Sequence, residues 1–245
     1  RFHPGDTDND TGSRKDQTEG ERRQTFKALM PVGVVGIGAF FRNAHAGKSN
    51  CREGKAQREF EQVIRETEVG GVCFFVGTAE KTLPLIKRFQ YVSRVPLLVC
   101  IDAEWGLGMR LKDCYSFPKN GDWGLLPHEM DTLVYEMGRE IGRECKNMGI
   151  HVNFAPVVDV NSNPNNPVIG VRSFSDDPQR VAELGIQYMK GLQSQGVMAV
   201  AKHFPGHGDT EADSHFELPV INHTRAYMDT VDLYPFRRLI DAGVQ

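Results

Sequence analysis

The stretch Val197-Met198-Ala199-Val200-Ala201, followed at once by Lys202-His203-Phe204-Pro205-Gly206-His207-Gly208-Asp209-Thr210-Glu211-Ala212-Asp213-Ser214-His215, decides how the rest of the chain is read. Its first five residues are a continuous apolar run of the length of a buried strand. Pro205, Gly206 and Gly208 then stop regular structure, so one cation, three imidazoles and three carboxylates stand on a loop at a strand end. A polar loop at the C-terminal end of a buried strand is where α/β folds place their chemistry.

Two parts of this loop separate. Lys202 and His203 leave the strand directly, where the backbone is rigid, which suits gripping a substrate hydroxyl. Asp213 and His215 lie beyond the glycines, two residues apart. On an extended backbone they point to the same side, so the carboxylate can hold one ring nitrogen, raise its basicity and aim the other outward. A competing reading takes His203, His207 and His215 with Asp209 as a metal site. Their spacing matches no standard zinc pattern and the glycines oppose a helical ligand pair, so no metal and no cofactor are expected.

Outward from the loop, helical and strand-like patterns alternate. Phe60, Val63 and Ile64 form a helical stripe that Gly70-Gly71 ends before the strand 72–76. Leu83, Ile86, Phe89 and Val92 precede a strand within 95–101, and Leu133, Met137, Ile141, Cys145 and Met148 precede 151–160. Asp177-Pro178 reads as N-cap and first helical residue of a helix with Val181, Leu184, Tyr188 and Leu192 inward. One last helix carries Tyr227, Val231, Tyr234 and Leu239 and closes at Gly243, while 44–55 reads as loop. Continuous apolar strands alternating with helices mean a parallel sheet covered by helices. Counting a weak glycine-rich strand in 32–41, about five βα units are present, against the eight of a closed (β/α)8 TIM-type barrel.

Residues 1–22 are polar and read as linker or disorder, leaving 23–245 as the folded part. With 245 residues, 40% of them hydrophobic, the chain can bury a real core. A net charge of −3 gives no footprint for nucleic acid, and no apolar run has the length of a membrane span. Of the five cysteines, Cys73, Cys100 and Cys145 fall in apolar patterns and read as small buried hydrophobes, not as a disulfide framework. Asn222-His223-Thr224 fits the glycosylation tripeptide, a pattern common by chance.

The string Lys202-His203-Phe204-Pro205-Gly206-His207-Gly208-Asp209-Thr210, then Asp213-Ser214-His215 and Leu218-Pro219, resembles the signature of family 3 glycoside hydrolases, in their β-N-acetylglucosaminidase branch. Asp102-Ala103-Glu104-Trp105-Gly106 is similar to the family's Asp-x-Glu-Gly-Gly, with Trp105 in place of the first glycine, and Asn153-Phe154-Ala155-Pro156-Val157-Val158-Asp159 to its Asn-x-Ala-Pro-x-x-Asp. The stretch 118–130 departs from the family pattern.

The resemblance implies a retaining exo-β-N-acetylglucosaminidase, with muropeptides as substrate class and either bacterial cytoplasm or periplasm as its place. His215 would be the acid/base and Asp213 its partner. Asp102, Arg172, Lys202 and His203 would hold the sugar, and Asp159 would support the site. In the family a later strand delivers an Asp nucleophile, usually within Ser-Asp. No such string follows His215 here, so the chain reads as the N-terminal part of a longer catalytic barrel whose isolated strand edges would favour association. Three alternatives stand beside this reading: an N-acetylglucosaminide phosphorylase, a sugar-binding module without catalysis, and a metal-dependent hydrolase using His203, His207 and Asp209.

Overall fold

In the computed structural model the strands are short and every one pairs in parallel with the next in sequence, in the order β1-β2-β3-β4-β5. The structure describes residues 34–36, 50–209 and 223–245. The elements run β1 (Val34–Gly36), α1 (Asn50–Thr67), β2 (Gly71–Phe74), α2 (Ala79–Val92), β3 (Leu98–Ile101), α3 (Asn120–Gly124) and α4 (Thr132–Met148). After these come β4 (Val152–Asn153), α5 (Pro178–Gln193), β5 (Met198–Ala199), α6 (Arg225–Thr230) and α7 (Tyr234–Asp241). Strand order that follows chain order without reversal is the winding of a (β/α) barrel, not of a doubly wound open sheet.

Strand register sorts the apolar residues into two rows. Phe74, Ile101, Asn153 and Ala199 lie side by side across four strands, as do Cys73, Cys100, Val152 and Met198. Side chains alternate along a strand, so the rows face opposite sides. The first row faces the helices. It joins the large core that includes Phe60 and Ile64 of α1, Phe89 of α2, Ile141 of α4 and Leu184 and Tyr188 of α5. The second row forms a smaller cluster with Phe75, Phe154 and Val200 on the inner side of the sheet. Cys73, Cys100 and Cys145 are buried thiols, as their patterns indicate, and are free with Cys114.

The expected elements are present with altered bounds. The helix before β2 starts at Asn50, inside a stretch that reads as loop. In α4 the buried stripe is Val134, Met137, Ile141, Cys145 and Met148; Leu133 is 41% exposed, one residue off the helix's inward face. The apolar run 151–160 holds only two strand residues; beyond them backbone bonds continue irregularly, the Pro156 carbonyl accepting from Lys202 N at 3.2 Å and Val157 pairing with Lys202 in an isolated parallel bridge. The last helix is two: α6 ends at Thr230, and α7 begins anew with Pro235 in its first turn, where a missing N–H is harmless. Residues 1–22 lie outside the described residues.

Helices α4 and α5 pack closely through glycine. A Cβ on Gly138 would stand 2.4 Å from the Tyr188 carbonyl oxygen, and one on Gly191 only 2.1 Å from that of Tyr135. Backbone meets backbone here, so nothing flexible can yield. Gly191→Ala is therefore expected to destabilise the fold by about 1–3 kcal/mol through overpacking, read as a lower denaturant midpoint at unchanged m-value.

Candidate active site

The alternation that builds the two rows continues past the strand ends and selects the site residues. Beyond Ile101, on the helix side, Asp102 turns inward, Ala103 outward into the main core, and Glu104 inward again. Beyond Ala199, Val200 is inward, Ala201 packs against the main core, and Lys202 is inward. Three charged side chains from β3 and β5 thus share one face. The segment after β3 is kept extended by Asn153, whose side-chain amide accepts from Ala103 N and donates to Ala103 O, both at 3.0 Å, as a neighbouring strand would. The Tyr188 hydroxyl donates to the Glu104 carbonyl at 3.0 Å and fixes the other side of the turn.

Lys202 Nζ stands 2.5 Å from Asp102 Oδ1 and 2.7 Å from Glu104 Oε1. Arg172, at the end of a 3-10 turn, grips Glu104 with both arms of its fork: Nε to Oε2 at 2.9 Å and Nη2 to Oε1 at 2.6 Å. Arg110 donates to the Asp102 carbonyl at 2.7 Å and to its carboxylate as well. Burial pushes the Asp102 carboxyl up, but the charges and hydrogen bonds of Lys202 and Arg110 outweigh it and leave its pKa below the ordinary value. For Glu104 burial likewise acts upward and is overcome by Arg172 and Lys202, so this acid too stays ionised.

A second carboxylate anchors the other half. Asp159 accepts from the backbone N–H of His203, at 3.1 and 3.2 Å, and from that of His207 at 2.8 Å. Its Oδ2 also lies 2.6 Å from His203 Nδ1. Arg172 Nη2 stands 3.3 Å from His203 Nε2. A guanidinium only donates, so in the neutral ring Nε2 accepts and Nδ1 carries the proton to Asp159.

Exposure divides the cluster by role. Glu104 and Asp159 expose 0% of their side chains, whereas Lys202 exposes 13%, Asp102 18%, Arg172 21% and His203 33%. The four residues expected to hold a sugar all keep some exposure, as does Arg110 at 25%. Of the four, Glu104 holds Lys202 and Arg172, and Asp159 holds His203, while Asp102 pairs with Lys202 and Arg110. Glu104 and Arg110 were not singled out by the sequence reading. The Asp-x-Glu spacing at the end of an extended run was the available signal for Glu104; Arg110 had none. His203, His207 and Asp209 do not converge as ligands, because His203 turns to Asp159 while the Asp209 carboxylate lies 2.6 Å from His223 Nε2. Asp213 and His215 lie outside the described residues.

The divergent stretch has a physical role. It forms α3, whose Asn120 side chain donates to the Arg172 carbonyl at 2.8 Å. A Cβ on Gly124 would meet the Phe174 carbonyl at 1.6 Å, so the helix lies directly against the turn that carries Arg172. Trp105 sits beneath Lys119, whose Nζ is 5.4 Å from the ring centre, and Gly106 at φ 96° provides the left-handed turn after it.

Replacing Glu104 by Gln would leave Lys202 and Arg172 without their shared buried anion. The expected loss at neutral pH is about 3–5 kcal/mol. A depressed folded pKa stabilises above the unfolded value and is lost as pH falls through the folded one, so the gap between Glu104→Gln and the parent should narrow below about pH 4. Denaturant melts of both proteins across pH check this.

Residues 28–245 match the Glycosyl hydrolase family 3 N terminal domain. The chain is 40% identical over 196 residues to a beta-hexosaminidase A of Pseudoalteromonas piscicida, an alignment spanning 76% of this chain and 33% of that protein. It is 36% identical over 189 residues to a beta-hexosaminidase of Nitrosospira multiformis, spanning 74% of this chain and 54% of the relative. A solved family 3 β-N-acetylglucosaminidase from a Paenibacillus species superposes with a TM-score of 0.74 at 36% identity, over 89% of this chain and 40% of that one. The chain thus spans about half or less of the length of these relatives, all in the branch to which the loop signature points. By fold and sequence, the chain belongs to glycoside hydrolase family 3, whose N-terminal domain it carries.

Proposed function

We propose that the chain is part of a retaining exo-β-N-acetylglucosaminidase that removes terminal β-linked N-acetylglucosamine, with peptidoglycan fragments as its natural substrates. The observation that carries this reading is the convergence of Asp102, Lys202, Arg172 and His203 beyond the C-terminal ends of the strands, all partly exposed, with Lys202 and Arg172 anchored on buried Glu104, His203 on buried Asp159 and Asp102 on Lys202. Asp102 accepts from sugar hydroxyls, while Lys202 and Arg172 donate to hydroxyl or acetamido oxygens. The relatives' names, β-hexosaminidase and β-N-acetylglucosaminidase, supply the sugar class.

In this mechanism an Asp nucleophile from beyond Gln245 attacks the anomeric carbon, and the bond to the leaving oxygen breaks. His215, oriented by Asp213 on its other nitrogen, gives that oxygen a proton. The same imidazole, now neutral, takes a proton from the water that hydrolyses the glycosyl–enzyme ester. A histidine serves in place of the usual carboxylic acid because its pKa lies near neutrality, so it is protonated for the first step and basic for the second.

Nitrophenol release from a β-N-acetylglucosaminide, by this chain and by the gene product extended beyond Gln245, tests the reading. Only the extended protein is expected to turn over, and His215→Ala in it should lower kcat by about 10²–10⁴-fold. An unchanged rate in His215→Ala would reject the acid/base assignment. Sugar-1-phosphate formed only when phosphate is present would make the enzyme a phosphorylase, and sugar binding by the extended protein without turnover would leave a binding module.

A further inference from the structure

An ionic constellation stands apart from the groups described above. His223 presents Nε2 to Asp209 Oδ2 at 2.6 Å and Nδ1 to Asp232 Oδ2 at 2.8 Å. A carboxylate accepts and does not donate unless protonated, so an imidazole bonded through both nitrogens carries both protons and is a cation. Burial acts against that charge, but the hydrogen bonds and charges of Asp232 and Asp209 outweigh it and raise the His223 pKa. Asp232 is pushed up by burial, with Asp209 and Asp159 adding negative field, and His223 counters that. The Tyr227 ring covers the imidazole at 4.1 Å between centroids.

The two carboxylates belong to different parts of the fold. Asp209 ends the described part of the loop after β5. Its backbone neighbours are tied to the β4 loop by Asn163 N to Gly208 O at 3.4 Å and by His207 N to Asp159 at 2.8 Å. Asp232 is buried between α6 and α7, close under Gly206, where a Cβ would lie 2.9 Å from Asp232 Cβ. His223 precedes α6, whose first turn is capped by the Thr224 hydroxyl. The His223–Asp209 bond therefore joins residues 14 apart in sequence, and Asp232 fastens that junction to the helices behind it.

We propose that His223, bridging Asp209 and Asp232, is a positioning residue: it joins the residues on either side of 210–222 and so fixes the points between which Asp213 and His215 are carried. This rests on the reading of Asp213–His215 as the acid/base dyad. Joining the ends of a segment removes many of its conformations, and an acid misplaced by about 1 Å loses much of its effect. The chemistry therefore senses the bridge through one step, proton delivery to the leaving oxygen.

The test uses the full gene product that carries this chain and two β-N-acetylglucosaminides. One has an alkyl leaving group that needs protonation; the other has a dinitrophenyl group whose anion departs without it. His223→Gln and Asp209→Asn are each expected to lower kcat/KM on the alkyl substrate by about tenfold or more, and on the dinitrophenyl substrate by less than about threefold. The double variant should be no worse than His223→Gln alone, because both break one bridge. Equal losses on both substrates, or none on either, would overturn the proposal. Should His223→Gln fail to fold, Asp209→Asn, whose side chain is 44% exposed, decides alone. His215→Ala measured in parallel separates the two readings. If it shows the leaving-group selectivity and the bridge variants do not, only the positioning role falls. If it shows none, the dyad falls and the positioning role with it.

Discussion

Glu104 is the group on which the site's geometry depends. Its carboxylate has no solvent exposure and holds Lys202 from β5 on one side and the fork of Arg172 on the other. Removing a carboxylate and two cations from water is expensive, and their mutual attraction roughly offsets that loss without exceeding it by much. What such an arrangement provides is position. Lys202 and Arg172 come from loops separated from Glu104 by about a hundred and about seventy residues, yet each meets a fixed oxygen. Asp102 completes the set by sharing Lys202 and taking Arg110.

The scaffold beneath this anchor is made for rigidity rather than strand length. Strands of two to four residues suffice because side chains substitute for missing ladder partners. Asn153 extends the sheet edge for Ala103, and Asp159 gathers the N–H groups of His203 and His207 into one buried carboxylate. Behind them, glycine contacts let α4 and α5 approach until backbone touches backbone, which places the Tyr188 hydroxyl against the Glu104 carbonyl. The partly exposed residues Lys202, Arg172 and His203 are thus held by buried carboxylates that do not themselves meet solvent. Positioning of this kind is what a catalytic or binding constellation requires.

Much of this was legible in the residue pattern, and the reasons are specific. Continuous apolar runs alternating with 3.6-residue stripes identify a parallel sheet under helices, since no other architecture buries such strands on both faces. Asp102, Lys202, His203 and Arg172 stand out as polar groups at strand ends or on the following loops. Helix phase was less secure: Leu133 and Val134 are both apolar, and only packing decides which faces inward. The split between α6 and α7 was hidden because Tyr227, Val231 and Tyr234 keep helical spacing across the break.

By itself the sequence determined that a parallel sheet lies under helices and which loops at strand ends carry charge. These are local properties, since periodicity and strand parity pass along the backbone without reference to distant residues. Only the tertiary structure decided which carboxylate pairs with which cation. Asp209 could as well have joined His203 as a ligand, yet it bonds His223; Asp159 could have faced the ligand, yet it is buried under His203. Pairing of charges depends on distances between segments far apart in the chain, and those distances exist only once the sheet and helices have packed.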